Sequence, residues 1–276
     1  MSWQRIGLGI EAQRPVAELR AAFARTEIVA LDLDECIYPG YTQVALSRRV
    51  ARRLLLRPRR RRDRRFLPAL GLGGVLFAVK EAKLLLGVDT PMRRLVRRYE
   101  RVMAGVPEPY VVEAARSIPP DSFAFAAETV AELAEQAPTG LVSLGLDVVA
   151  RAYREAFRGP RGPALSFCES NVVAWRERRG QRVFAGYDRG AFLESGADKR
   201  RALERRMGVL GAEVATVVGH SADDVPLATL ARETGGLAVG YNPPARLRRH
   251  FDVVVRGGDW QPMYALTAML RGARRA

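Results

Sequence analysis

Short apolar runs that end abruptly in polar residues recur along the chain, separated by stretches with helical spacing. Ile28-Val29-Ala30-Leu31 ends in Asp32, Gly140-Leu141-Val142 ends in Ser143, and Val214-Ala215-Thr216-Val217-Val218 ends in Gly219-His220-Ser221. An apolar run without alternation reads as a strand buried on both faces. Helical patterns lie between and after these runs, at residues 15–24, Phe123 to Gln136, Val148 to Phe157, Lys199 to Met207 and Pro226 to Glu233. Strands alternating with helices predict an α/β protein built on a doubly wound parallel sheet. Ligands of such sheets sit beyond the carboxyl ends of the strands, where these polar residues fall.

Two segments break the alternation. Residues 39–121 carry no strand pattern and are expected to form an inserted helical cap domain. Within it, Arg93, Arg94, Arg97, Arg98 and Arg101 share one helical face, opposite Leu95, Val96, Tyr99, Val102 and Met103. The second segment, 164–187, reads as a β-hairpin, with Ala164–Trp175 and Arg182–Tyr187 as arms around the turn signal Glu177-Arg178-Arg179-Gly180. Residues 1–38 and 122–276 then form the core domain.

Composition narrows the class. A chain of 276 residues with 48% hydrophobic content has ample material for a buried core, and two cysteines, Cys36 and Cys168, exclude a disulfide scaffold. No secretory leader pattern opens the sequence, and the apolar stretch Phe66–Val79 is short, glycine-broken and interrupted by Pro68. A cytoplasmic location is the expectation. The net charge of +15 favours anionic partners, and residues 48–65 concentrate it, with eleven arginines against the single acid Asp63. That block, followed by the apolar stretch and then Lys80 and Lys83, has the makeup of a peripheral membrane contact over 48–83. It lacks the interleaved aromatics and surrounding module of a specific nucleic-acid site, so a phosphorylated small molecule or a lipid headgroup is the expected partner.

The strand ends carry the chemistry. Asp32-Leu33-Asp34 sets two carboxylates two residues apart just past a buried strand, and carboxylates sharing a cleft repel unless a cation or proton neutralises them. The chemistry that uses such a pair is attack of one carboxylate on phosphorus, with the other donating a proton to the leaving group and then activating water. Mg2+ would screen the approach of the two anions. Ser143 could donate its hydroxyl to a phosphoryl oxygen, and Lys199, one of only three lysines, could hold another. Asp223 and Asp224, after the third strand, add two carboxylates or cap the helix that follows.

In this order the residues resemble the four motifs of the haloacid dehalogenase-like hydrolase superfamily. Asp32-Leu33-Asp34-Glu35-Cys36 matches the first motif, Ser143 the second, Lys199 the third, and Gly219-His220-Ser221-Ala222-Asp223-Asp224 the fourth. The match covers about residues 26–38 and 137–256. A helical insertion after the first motif is similar to that of the phosphoserine phosphatase-like branch. The resemblance implies a Rossmann-like core and an Mg2+-dependent phosphomonoesterase with Asp32 as nucleophile and Asp34 as general acid and base. It also implies Ser143 and Lys199 as catalytic residues, and Asp32, Asp34, Asp224 and Asp223 around the metal. Two positions depart from the pattern. Cys36 stands where threonine or valine is usual, and His220 replaces the aspartate that commonly ligates the metal, although imidazole suits zinc, nickel or iron better than magnesium. The alternative reading is a catalytically impaired member acting as an anion-binding or membrane-surface module.

Overall fold

The computed structural model describes residues 3–71 and 92–272. The apolar stretch from residue 72 onward, Lys80 and Lys83, and the side chains of Arg93, Arg94, Leu95 and Val96 lie outside the described residues. Strands β1 (Gln4–Gly7), β2 (Ile10–Ala12), β3 (Ile28–Leu31), β4 (Thr139–Leu146), β7 (Phe167–Asn171), β10 (Ala215–Gly219), β11 (Ala238–Tyr241) and β12 (Val253–Val255) form one eight-stranded sheet in the order β1-β2-β12-β11-β10-β3-β4-β7. From β12 to β7 all neighbours are parallel, and the antiparallel pairings lie at one edge, β1 with β2 and β2 with β12. β3, buried along its whole length, lies at the centre between β10 and β4. Leu31 is in register with Val218 on one side and Leu141 on the other, so Asp32, Gly219 and Val142 emerge at one level of the carboxyl edge.

Helices α1 (Val16–Ala24), α5 (Ala126–Gln136), α6 (Asp147–Ala156), α7 (Gly196–Leu210), α8 (Val225–Glu233) and α9 (Gln261–Arg271) cover the sheet, one apolar cluster on each face. Helix α7 is sharply delimited. Ser195 and Asp198 form a reciprocal cap at its start, with Ser195 Oγ donating to Asp198 Oδ2 at 2.7 Å, and Gly211 ends it at φ +65°. This places Lys199 in the first turn.

The insertion contributes α2 (Thr42–Leu56), α3 (Met92–Met103) and α4 (Glu108–Arg116). Its buried Leu46, Val50, Tyr99, Tyr110 and Val111 join the same cluster as Val29 and Leu31 of β3. On α3, Tyr99, Val102 and Met103 are buried while Arg97, Arg98 and Arg101 face solvent, as the amphipathic pattern requires. In the arginine block, Arg49 pairs with Asp121, and Arg53 and Arg59 pair with Glu113. The remaining described arginines of the block are exposed.

The segment read as one hairpin divides between two sheets. Phe167–Asn171 runs parallel to β4 as the last strand of the main sheet, and only β8 (Val173–Glu177) pairs antiparallel with β9 (Arg182–Tyr187). A two-strand turn, β5 (Arg158–Gly159) with β6 (Gly162–Pro163), precedes them. The change of sheet is enforced at Asn171, whose amide group donates to Leu144 O and Leu193 O and accepts from Leu193 N. The β8–β9 hairpin then docks on the insertion, with mutual backbone hydrogen bonds from Gly105 and to Val106 at Phe184, and with the Arg182–Glu108 and Arg189–Glu100 ion pairs.

Both ends of the insertion meet at the loop after β3. Leu33 O accepts from the Ile37 and Tyr38 amides, Phe123 N donates to Ile37 O, and the buried Trp260 indole donates to Cys36 O at 2.6 Å. Trp260→Phe strips that carbonyl of its partner, and is expected to cost about 1–3 kcal/mol, read as a lower urea midpoint at unchanged slope.

Candidate active site

Asp32, Lys199, His220 and Asp224 form one ionic cluster at the carboxyl edge of β3 and β10. Lys199 Nζ donates to Asp32 Oδ1 and to Asp224 Oδ1, each at 2.7 Å, with all three side chains almost wholly buried. Burial opposes the ammonium charge, but Asp224 and Asp32 outweigh it, and the lysine pKa is raised above its ordinary value. Burial opposes the Asp224 charge, but Lys199 and then His220 outweigh it and hold the carboxyl below the usual range.

Asp224 packs directly against the backbone at the end of β10. A Cβ on Gly219 would lie 2.5 Å from Asp224 Cβ, so glycine is required where β10 ends. Asp224 Oδ2 accepts from the His220 amide, the Ser221 amide and the Ser221 hydroxyl, each at 2.9 Å. The capping role and the role in the cluster therefore reside in one carboxylate.

The His220 ring stands between acids. Nδ1 is 3.0 Å from Asp32 Oδ2 and 3.5 Å from Asp224 Oδ2, and Nε2 is 3.4 Å from Glu35 Oε2. Desolvation lowers the affinity of the ring for its second proton, but hydrogen bonding to Asp32 and Glu35 and the nearby carboxylates prevail and raise the pKa to about 10. Sequence reasoning singled out His220 as a departure and missed Glu35, whose φ of +55° is unusual for a residue with a side chain. That backbone angle leaves no trace in the composition of the loop.

Asp34 is engaged by the insertion. Its Oδ1 accepts from the Thr42 amide at 2.7 Å, so it caps the first turn of α2 and ties the insertion to the loop. Desolvation raises its pKa to about 6, with the Thr42 amide opposing the rise and the field of Asp32 adding to it. Ser143 is buried, and its Oγ accepts from Gly145 N at 3.0 Å, which leaves the hydroxyl proton free to be directed elsewhere. It lies within β4 and not at its end. The strand runs on to Leu146 through an irregularity after Val142, where Ser143 to Gly145 leave the pairing register. Gly145 keeps this corner open, since a Cβ there would meet Ser143 Oγ at 3.1 Å and Asp34 Oδ2 at 4.0 Å. In the loop after β3, burial pushes the Cys36 thiol well above its ordinary pKa, so it is no thiolate nucleophile.

The acids expected around a magnesium ion do not converge as a cage. Asp34 accepts from the Thr42 amide, and Asp223 is only half-buried beside the fully buried Asp224. Among the described residues, the group that brings three potential ligand atoms within 4.8 Å of one another is Asp32, His220 and Asp224. A carboxylate offers about four acceptor positions, and Asp224 already meets four donors, from Lys199, His220 and Ser221. Mg2+ takes oxygen ligands, and here one of the three converging atoms is a ring nitrogen while Asp224 has no acceptor position to spare, so the residues present do not fit it. A cleft of about 520 Å3 opens beside His220 and is lined by Glu35, Gly40, Phe123, Asn242 and two prolines.

No family model and no curated protein matches the chain by sequence. Solved structures match it in shape. A cytosolic 5'-nucleotidase IIIB bound to cytidine superposes with a TM-score of 0.62 at 15% identity, covering 96% of this chain and 94% of the other. Phosphoserine phosphatase in its apo form gives 0.60 at 16% identity, over 87% and 98% of the two chains. A HAD family hydrolase from Salmonella enterica serovar Typhi gives 0.59 at 15% identity, over 90% and 72%. With its strand order and the four motif positions in sequence along the carboxyl edge, the chain has the fold of the haloacid dehalogenase-like superfamily.

Proposed function

We propose that the protein is a phosphatase that hydrolyses a phosphate monoester through an aspartyl-phosphate on Asp32. The observation that carries this reading is a pair of carboxyls two residues apart in different settings. Asp32 is held as an ion-paired carboxylate by Lys199, whereas Asp34, two residues on, has its pKa raised to about 6. One is suited to attack and the other to carry a proton. A phosphoserine phosphatase of the same fold is known as a phospho-aspartyl intermediate analogue, which supports the reading by analogy.

In the first step an Asp32 carboxylate oxygen forms a bond to phosphorus as the ester P–O bond breaks, and Asp34 gives its proton to the leaving oxygen. In the second, Asp34 takes a proton from water, whose oxygen attacks phosphorus. The bond to Asp32 breaks and inorganic phosphate leaves. Lys199 and the Ser143 hydroxyl stabilise the phosphoryl oxygens, and Gly145 leaves the corner open for them. The magnesium ion that the fold implies has no place in these steps, because the site as built does not fit it.

Phosphate release from a panel of phosphomonoesters tests the reading. Because the protonated form of Asp34 is the donor, kcat/KM for an alkyl phosphate is expected to fall about tenfold per pH unit above about 6. Asp34→Asn is expected to remove that limb and lower the rate by roughly 10^2–10^4-fold, with a smaller loss for p-nitrophenyl phosphate, whose leaving group needs no proton. The second reading, an anion-binding module without turnover, is favoured by the engagement of both Asp32 oxygens, by Lys199 and by His220. It predicts binding of a phosphate mimic with no release from any member of the panel.

A further inference from the structure

We propose that the His220 side chain is the built-in cation of this site, filling the gap between Asp32 and Asp224, so that the protein handles phosphate esters without a metal ion. The inference rests on the phosphatase reading for its chemistry and on the geometry of four side chains for its substance.

Each nitrogen of the ring faces a carboxylate, Nδ1 toward Asp32 and Nε2 toward Glu35. An ionised carboxylate only accepts hydrogen bonds, so a ring placed between two of them carries a proton on both nitrogens. A ring with Nδ1 donating to Asp32 has no lone pair for a metal there. Asp224 has none to spare either, with four donors on its two oxygens. Lys199 and the ring already offset the two buried carboxylates, Asp32 and Asp224, with the more exposed Glu35 at the outer nitrogen. A divalent ion added to that set would reverse its net charge to positive in a nearly dry place.

The arrangement also performs what the ion would be needed for. The donor on Asp32 Oδ2 fixes the carboxylate orientation together with Lys199 on Oδ1. The exposed part of the ring lines the cleft beside it, together with Glu35. Glu35, held at φ +55°, supplies the carboxylate at the outer nitrogen.

Ion uptake read without substrate tests this directly. In the electron paramagnetic resonance spectrum of Mn2+, excess wild-type protein is expected to leave the free-ion signal unchanged, and calorimetry with Mg2+ and with Zn2+ is expected to show no binding. H220D, which places an oxygen ligand at this position, is expected to suppress the Mn2+ signal by about one ion per chain, with circular dichroism to verify its fold. Uptake of any of the three ions by the wild type would overturn the inference. So would a folded H220D that takes up none, because the ring would then not be what excludes the ion. If the wild type binds no ion and releases no phosphate, the metal-free site stands and the phosphatase reading falls. If it binds Mn2+ and is active only with it, the reverse holds.

Discussion

Asp32→Asn is expected to lower kcat on phosphomonoesters by at least about 10^3-fold, the scale seen when a covalent nucleophile is removed. Asparagine keeps the shape and one acceptor oxygen, so Lys199 retains a partner and the site remains assembled. What disappears is the negative oxygen that attacks phosphorus. Binding of a phosphate mimic is expected to persist and even tighten, because an anion no longer meets a buried carboxylate. Equal activity of wild type and variant, measured as phosphate release from p-nitrophenyl phosphate, would remove Asp32 from the nucleophile's role.

Lys199→Met is expected to be the most damaging single change to stability in the site. It takes away the ammonium that bridges Asp32 and Asp224 at 2.7 Å each and leaves His220 as the sole cation between two buried carboxylates. Breaking a buried ion pair by removing one partner costs about 3–5 kcal/mol, which for a chain of this length is a fall in Tm of roughly 10 °C. Adding Asp224→Asn to Lys199→Met is expected to restore part of the loss, since it removes one of the two stranded charges. Thermal unfolding of the single and double variants checks both statements. A single variant as stable as the wild type would show that the cluster carries little strain when its cation is removed.

The central strands and the helices around them were legible because a buried parallel strand is a short run of uninterrupted apolar residues. Ile28–Leu31 and Ala215–Gly219 lie where such runs end in polar residues. β11 is interrupted by Gly240, β12 has only three residues, and the β1–β2 hairpin sits at an edge with Gln4 and Arg5 exposed, so none stands out as an uninterrupted apolar run. The split of 164–175 was hidden for a different reason. Nothing in the alternation marks the change of sheet, which is made by the side-chain hydrogen bonds of Asn171 at long range.

The site divides along the same line. The order of Asp32, Ser143, Lys199 and Asp224 along the chain placed them at one sheet edge, since strand ends in this topology converge. Spacing could not separate Asp223 from Asp224, which differ in the direction of one side chain and therefore in burial. Nor could it show that Thr42 caps Asp34 with a backbone amide, or that Trp260, more than two hundred positions away, braces the loop at Cys36. The direction of the His220 ring belongs to this class. A histidine in place of an acid reads as a lost ligand until the carboxylates on both of its nitrogens are seen.

The most direct measurement is to quench the protein in acid during turnover of a phosphomonoester and weigh the intact chain and its peptides. One phosphoryl group on the peptide that contains Asp32, released by hydroxylamine and absent from Asp32→Asn, is the predicted result. Turnover at full rate with no phosphorylated protein, or with the group on another residue, would contradict the account.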